Sequence, residues 1–331
     1  MIDLRVLAPA KVNLFLGIGE KRDDGYHDAL SILHALALHD TLTFTVVPEG
    51  AFVQGLMRDD GTFDLETIDE EGLHVGVEIK WREGMEPQEI PLADNLVAKA
   101  ALALARAFDF PWKGYLRITV EKHIPAQAGL GGGSSNAAAA LVGCAQLWGI
   151  DAEDPRIEEV ARSLGADVAF FLKGGCGAYG DRGDAFLRSL RSRKDSVLLV
   201  IPDGGVSTGA AYNAFDENPQ EIPADLRKQA DEANFASRVP VFNNLAPAAE
   251  ALMPELVKVR EWAQATEGIS DVLLSGSGSA TFCICEGLQT AFKLAVEARS
   301  HGWQTRVTAF SSLKAAALPS ANQTNIGATR V

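Results

Sequence analysis

The densest chemistry in the sequence lies between residues 124 and 136, which read Ile-Pro-Ala-Gln-Ala-Gly-Leu-Gly-Gly-Gly-Ser-Ser-Asn. Gly129, Gly131, Gly132 and Gly133 let the backbone take conformations closed to other residues and approach a ligand closely. The alanine-rich run that follows, to about Trp148, reads as a helix. Its free N–H groups and positive dipole end then face whatever the loop cradles, which describes an anion site suited to a polyphosphate. Ser134 and Ser135 add hydroxyls for phosphate or for magnesium. No Gly-Lys-Ser/Thr tripeptide is present, so the loop is not a Walker A loop, and Ser134 stands where a dinucleotide-binding loop needs its third glycine. Taken alone, the segment reads equally as a flexible turn with a serine cap.

Two charged residues stand out against apolar surroundings. Asp167 follows Gly165, which ends a helix over 155–164, and precedes an apolar run read as a strand. A carboxylate there is a candidate proton acceptor, or a cap or turn residue. Lys11 lies in the apolar strand Val6 to Leu16, where it either snorkels to the surface or pairs with an acid. A second small-residue loop, Ser275-Gly276-Ser277-Gly278-Ser279, reads as a tight turn between strands. His27, His34 and His39 lack metal-ligand spacing. Cys144, Cys176, Cys283 and Cys285 lack CxxC spacing and read as buried small hydrophobes in a reducing compartment.

The elements that position these residues mix without a regular βα alternation, which favours α+β over a doubly wound sheet. Strands are expected over 2–18, 41–47, 114–122, 196–202, 272–274, 281–285 and 305–310. Residues 26–39 are apolar and fit helix or strand. The acidic stretch 48–91, holding Asp59, Asp60, Glu66, Asp69, Glu70 and Glu71, reads as strands with long loops. Helices are expected from Asp94 or Asn95 through Phe108, over 155–164, over 246–265 and over 288–300, with a frayed tail from Pro319.

The chain has 331 residues, 47% hydrophobic and 22% charged, enough for a substantial core. Its net charge of -14 disfavours nucleic-acid and anionic-membrane partners, which depend on phosphate neutralisation by Lys and Arg. No apolar run reaches the length of a membrane span, and the N-terminus has no signal-peptide pattern.

Three stretches, Ala8-Pro9-Ala10-Lys11-Val12-Asn13-Leu14, the Gly129–Ser135 loop and Leu274-Ser275-Gly276-Ser277-Gly278, together resemble the three motifs of the GHMP kinase superfamily, in the same order. Further segments resemble the 4-diphosphocytidyl-2-C-methyl-D-erythritol kinase family of the non-mevalonate isoprenoid pathway. They are Arg22-Asp23-Asp24-Gly25-Tyr26-His27, Gly165-Ala166-Asp167-Val168-Ala169-Phe170-Phe171, and Val206-Ser207-Thr208 followed by Ala211-Tyr212. Ala169 replaces the usual proline of that family, and 48–91 and the C-terminal tail match it poorly.

The resemblance implies a two-domain α+β fold, with an N-terminal domain like ribosomal protein S5 domain 2 over 1–190 and a ferredoxin-like C-terminal domain over 191–331. It implies ATP and Mg2+, and γ-phosphoryl transfer to the 2-hydroxyl of 4-diphosphocytidyl-2-C-methyl-D-erythritol. Asp167 becomes the catalytic base and Lys11 its partner. Gly129, Leu130, Gly131, Gly132, Gly133, Ser134 and Ser135 hold the phosphates, with Asn95 at the adenine or simply capping its helix. Asn13, Tyr26, His27, Thr208 and Tyr212 bind the acceptor, with Tyr26 and Tyr212 on the two faces of the cytosine. Ser275, Gly276, Ser277 and Gly278 form a supporting loop. The metal ligand stays open, with Ser135 as a candidate. The expected partner is the small-molecule substrate, and the expected state a cytoplasmic monomer or homodimer. Other GHMP kinases, acting on homoserine, mevalonate or a sugar, have no use for Tyr26, His27 and Tyr212. A non-catalytic ATP-binding regulator has no need to keep both Lys11 and Asp167.

Overall fold

A long hairpin organises the molecule. In the computed structural model, which describes residues 3–23, 25–50, 56, 63–70, 72–111 and 113–319, β1 (Asp3–Lys21) and β2 (His27–Pro48) pair antiparallel. Residues 26–39, which fit helix or strand in the sequence, are thus strand from His27 onward. Residues 8–18 of β1 are all buried, so the strand reads as a continuous apolar run without alternation. The register slips between Pro9 and Lys11 and again between Asn13 and Phe15. Such bulges bend a strand and re-aim its side chains, and here they bracket the lysine and the asparagine of the run.

Around the hairpin come β3 (Ile68–Glu70), β4 (Leu73–Trp81), α1 (Leu96–Ala107) and β5 (Gly114–Lys122). They are followed by α2 (Gly132–Trp148), α3 (Pro155–Leu164), α4 (Val168–Lys173), β6 (Cys176–Gly180) and β7 (Ala185–Leu190). β2 pairs with β5 through residues 41–48 and with β6 through 31–34; β4 lies parallel to β5. The helices pack on this sheet through a core that includes Phe44, Ile118, Leu104, Leu141, Phe170 and Phe171. Ala137 to Ala140 are fully buried, and their small side chains seat α2 close against β1. The apolar run after Asp167 is the helix α4 and not the expected strand. Val168 to Phe171 are all buried, and a run that short carries no periodicity by which to choose. It ends at Gly174, whose φ is 67°.

The second half opens with β8 (Ser196–Ile201), α5 (Thr208–Glu217), α6 (Ala224–Glu232) and β9 (Phe242–Asn243). It continues with α7 (Ala246–Leu252), α8 (Glu255–Ala265), β10 (Ile269–Leu274), β11 (Thr281–Cys285), α9 (Leu288–Ser300), β12 (Gln304–Ala309) and β13 (Ala316–Ala317). Strands β10-β11-β8-β12 form an antiparallel sheet in that order. With α8 and α9 they make the βαββαβ pattern of a ferredoxin-like unit. Both faces of β8 are covered. Val197, Leu199 and Ile201 join a core with Val12, Leu14 and Ile32 of the hairpin. Leu198 and Val200 pack with Val259 of α8 and Leu294 of α9.

Residues 246–265 form two helices where one was expected, because Pro254, which has no N–H, stands between them. β9 and β13 both return to β1 and complete its sheet. The expected fraying beyond Pro319 lies outside the described residues, as do Asp24, Asp59, Asp60 and Glu71. Among the described residues no helix is long and apolar enough to cross a membrane.

Candidate active site

The three small-residue segments, far apart in the chain, are bonded into one assembly. The Lys11 N–H donates to the Leu130 carbonyl at 3.0 Å, and the Ala280 N–H donates to the Ala128 carbonyl at 3.1 Å. The Ser275 hydroxyl donates to the Gly129 carbonyl at 3.0 Å. Gly129 has φ +71°, and a Cβ there would stand 2.0 Å from the Ser275 carbonyl oxygen. Gly131 has φ +70° and caps α2; a Cβ there would meet the Phe171 ring at 2.7 Å and the Lys11 stem at 2.9 Å. Glycine is therefore required at both positions by conformation and by space. The helix begins at Gly132, inside the loop, so the first-turn amides of Gly132, Gly133 and Ser134 have no intrahelical acceptor.

Two cavities meet at this loop. One, of about 430 Å³, is walled by Ile79, Trp81, Ile90, Asn95 and the whole loop from Gly129 to Ser134. The other, of about 370 Å³, is walled by Lys11, Asn13, Asp167, Thr208, Tyr212 and Gly276. Gly129, Gly131 and Ser134 belong to both. The first has the apolar slot and anion cradle of a nucleotide site. The second holds an ion pair of the two candidate catalytic residues: Lys11 Nζ lies 3.3 Å from Asp167 Oδ2, with the lysine side chain 5% and the aspartate 31% exposed. Lys11 also donates to Asn13 Oδ1 at 2.8 Å, and Asn13 Nδ2 donates to the Ser31 hydroxyl at 2.9 Å. Asp167 precedes α4, but its carboxylate makes no capping bond there and is left to the lysine and the cavity.

The acceptor-binding candidates separate into groups. Thr208 Oγ1 and Ser277 Oγ are hydrogen-bonded at 3.0 Å on the wall of the second cavity. Tyr212 shares that wall, and burial, followed by the Asp167 charge, pushes its phenol up to about 12. His27 sits behind Tyr212, with ring centres 5.4 Å apart, and its Nε2 is 2.7 Å from Asp216 Oδ1. Asp216 also binds Lys21, whose ammonium holds that carboxyl below its usual range. His27 therefore lines a neighbouring cavity of about 760 Å³ and not the one holding Asp167. Tyr26 is 56% exposed, with the Arg182 guanidinium 4.8 Å over its ring. Arg182 reaches the second cavity, but no contact joins the rings of Tyr26 and Tyr212 among the described residues. Asn95 caps α1 by accepting from the Val97 N–H at 2.9 Å, and also lines the nucleotide-sized cavity. Ser135 is fully buried, and its hydroxyl has no partner among the described residues.

Three contributors escaped the sequence reading. Lys122, at the end of β5, donates to Asp40 Oδ2 at 2.5 Å and to Asn136 Oδ1 at 3.2 Å. Asp40 Oδ1 accepts from the His123 and Ile124 N–H groups. This buried network fixes the strand that enters the glycine loop to the helix that leaves it. Asn243 donates to the carbonyls of Leu274 and Gly276 and so holds the second small-residue loop in place. Arg182 follows Asp181, which has a positive φ of 57°, and precedes Gly183. That unusual turn was the available signal for it. Among the described residues no cluster of three or more His, Cys, Asp or Glu side chains is arranged to hold a metal.

Residues 95–175 match the GHMP kinases N terminal domain, and residues 224–302 the GHMP kinases C terminal. The 4-diphosphocytidyl-2-C-methyl-D-erythritol kinase of Desulfitobacterium hafniense (strain Y51) is 32% identical over 309 residues, covering 92% of this chain and 95% of that protein. The enzyme of the same name from Thermobifida fusca (strain YX) is 35% identical over 305 residues, covering 90% and 92%. A crystal structure of 4-(cytidine 5'-diphospho)-2C-methyl-D-erythritol kinase superposes with a TM-score of 0.69 at 30% identity, covering 93% of this chain and 99% of that one.

Proposed function

Because this chain belongs to the 4-diphosphocytidyl-2-C-methyl-D-erythritol kinase family of the GHMP kinases, we propose that it transfers the γ-phosphoryl group of ATP to the 2-hydroxyl of that cytidylyl alcohol, a step of non-mevalonate isoprenoid-precursor synthesis. The observation that carries the mechanism is the Lys11–Asp167 pair, 3.3 Å apart in a cavity that shares Gly129, Gly131 and Ser134 with the nucleotide-sized one. An alcohol in one cavity thus faces a γ-phosphate in the other across a common wall.

The roles follow from position. The free amides of Gly132, Gly133 and Ser134 bind phosphate oxygens, and the slot of Ile79, Trp81 and Ile90 takes the adenine beside Asn95. Asp167 accepts the proton of the acceptor hydroxyl while its oxygen bonds to the γ-phosphorus. The bond from that phosphorus to the β,γ-bridging oxygen breaks, and ADP leaves. Lys11 offsets the negative charge that spreads over the transferring oxygens. Asn13 holds Lys11 by its amide oxygen and is itself held by Ser31, so the ammonium is aimed before substrate arrives. Tyr212, backed by His27, presents a ring face to the cytidine end.

The donors present fit a Mg2+ ion that arrives on the nucleotide, because Mg2+ keeps several waters and takes few protein ligands beyond substrate phosphates. Ser134, and Ser135 with its unpartnered buried hydroxyl, would hold it. When bound, it neutralises β- and γ-phosphate oxygens. We take 1–190 and 191–331 as the two domains, and the cytoplasm as the location, consistent with four buried free cysteines; a monomer or homodimer suffices, since one chain supplies every residue named.

The test is ADP release by purified protein with Mg2+ and ATP, offered the cytidylyl-methylerythritol substrate, homoserine, mevalonate or galactose. Turnover with the first alone is expected. Turnover with another acceptor instead would keep the phosphoryl-transfer site and discard the cytidine assignment.

A further inference from the structure

On the side of the molecule formed by α9 and β12, a cavity of about 520 Å³ opens between the two sheets. Its walls carry three arginines and no carboxylate: Arg82, just past the end of β4, Arg299, near the C-terminus of α9, and Arg306, in β12. In a chain with 44 acidic and 30 basic residues, this is an anomaly. Elsewhere Arg106, Arg117, Arg193 and Arg260 each face a carboxylate within hydrogen-bonding distance. Among the described residues none of these three does so. Arg299 Nε donates to the Thr305 hydroxyl at 2.8 Å, and Arg306 NH1 to the Thr305 carbonyl at 2.9 Å. Arg306 Nε is buried and has no partner among the described residues.

Like charges brought together at a partly buried place repel, and each guanidinium has a planar fork of donors matched to phosphate oxygens. Burial, then the charges of Arg82 and Arg299, lower the proton affinity of Arg306, and among the described residues no acid opposes them. A positive cluster that the fold leaves uncompensated calls for a counter-ion. Phe292, 56% exposed, and Trp303 give the same cavity an apolar side. Gln304 adds a further polar group.

We propose that this cavity binds a diphosphate-bearing small molecule, its phosphates held by Arg82, Arg299 and Arg306 and its organic part resting on Phe292. The site lies apart from the glycine loop and has a route to it. Arg82 follows Trp81, which walls the nucleotide cavity, and its N–H donates to the Lys122 carbonyl at 3.1 Å. A ligand here ties the end of β4 to β12, joining the two sheets.

Calorimetric titration with inorganic pyrophosphate tests the site, using protein saturated with a non-hydrolysable β,γ-imido ATP analogue so that the glycine loop is occupied. One residual binding event is expected, weakening as salt is added and accompanied by a rise in Tm with pyrophosphate concentration. Arg299→Gln and Arg306→Gln should each weaken it by at least ~10-fold, the scale of one lost charged hydrogen bond. Turnover with the cytidylyl substrate and affinity for the ATP analogue should be unchanged, which separates this site from the catalytic one. Arg299 is exposed, so its variant folds whatever happens to Arg306→Gln. Absence of residual binding, or equal binding by wild type and both variants, would overturn the assignment.

Discussion

Replacing Asp167 by asparagine keeps the side-chain shape and removes one charge, so it separates chemistry from folding. The carboxylate lies 3.3 Å from the Lys11 ammonium, is about a third exposed and makes no capping bond to α4. With the aspartate about a third exposed but the lysine buried, the pair lies between a surface and a buried ion pair, so its loss costs on the order of 1–3 kcal/mol, and Lys11 keeps its bond to Asn13 at 2.8 Å. A Tm fall of no more than ~10 °C follows for a domain of this size, which leaves the protein folded at the assay temperature. Affinity for ATP should also survive, because Asp167 does not wall the nucleotide cavity. Turnover should not survive. A positioned base is worth ~100- to 10,000-fold, equivalent to ~3–5 kcal/mol in the activation barrier. The assay is steady-state ADP release at saturating acceptor, beside calorimetric titration with the ATP analogue and a melting curve. Near-normal kcat would remove Asp167 from the chemistry. Lost turnover together with lost ATP binding would show that the residue acts through the fold, and the two-cavity division of labour would fail with it.

Other residues give independent checks. Gly129→Ala places a Cβ 2.0 Å from the Ser275 carbonyl oxygen at a φ of +71°; with at least ~1–2 kcal/mol for the left-handed backbone alone, urea denaturation should show a loss above that figure, and ATP affinity should fall too. Tyr212→Ala should raise KM for the cytidylyl substrate more than KM for ATP, since Tyr212 lines only the acceptor cavity; an equal rise in both would sink the stacking role. His34 is held by burial at a pKa of about 4. Its Nε2 accepts from the Arg193 N–H while its Nδ1 donates to the Ala35 carbonyl, an arrangement that needs the neutral ring. The unfolded chain takes up the proton near 6.5, so the stability this residue contributes is present above pH 6.5 and is lost as pH falls toward 4. The loss is on the order of 3 kcal/mol, and His34→Gln should flatten the fall in urea midpoint between those pH values.

Much of the architecture was legible because local signals agreed with the final structure. Asn95 before an Ala-Leu run, Gly165 after 155–164 and alternation in 114–122 marked elements whose ends match within a residue or two. The sequence was silent where burial is uniform or side chains are small. The first four of the six residues of α4 are all buried, so they show no stripe. β6 reads Cys-Gly-Ala-Tyr-Gly and owes its strand conformation to pairing with β2 and β7, not to any preference of its own. The reactive pair illustrates the same division. Each residue was conspicuous alone, but nothing local placed Lys11 beside Asp167, 156 positions apart. That proximity needs the bulges of β1 and the seating of α4, which are tertiary facts.

The way the glycine loop is held has a further consequence. Its carbonyls at 128, 129 and 130 are all taken, by Ala280, Ser275 and Lys11, so its outward amides are left as the groups free for a ligand. The residue that fixes one end of the loop through its backbone, Lys11, is also the one whose ammonium is proposed to act in the transfer. The β1 strand therefore cannot shift without moving the phosphate cradle and the lysine together. On the proposed mechanism, rigid coupling of this kind would keep the acceptor and the γ-phosphate in register. It also means that substitutions loosening β1 at Pro9 or Asn13 should lower kcat and the affinity for ATP together, read by steady-state ADP release beside titration with the ATP analogue.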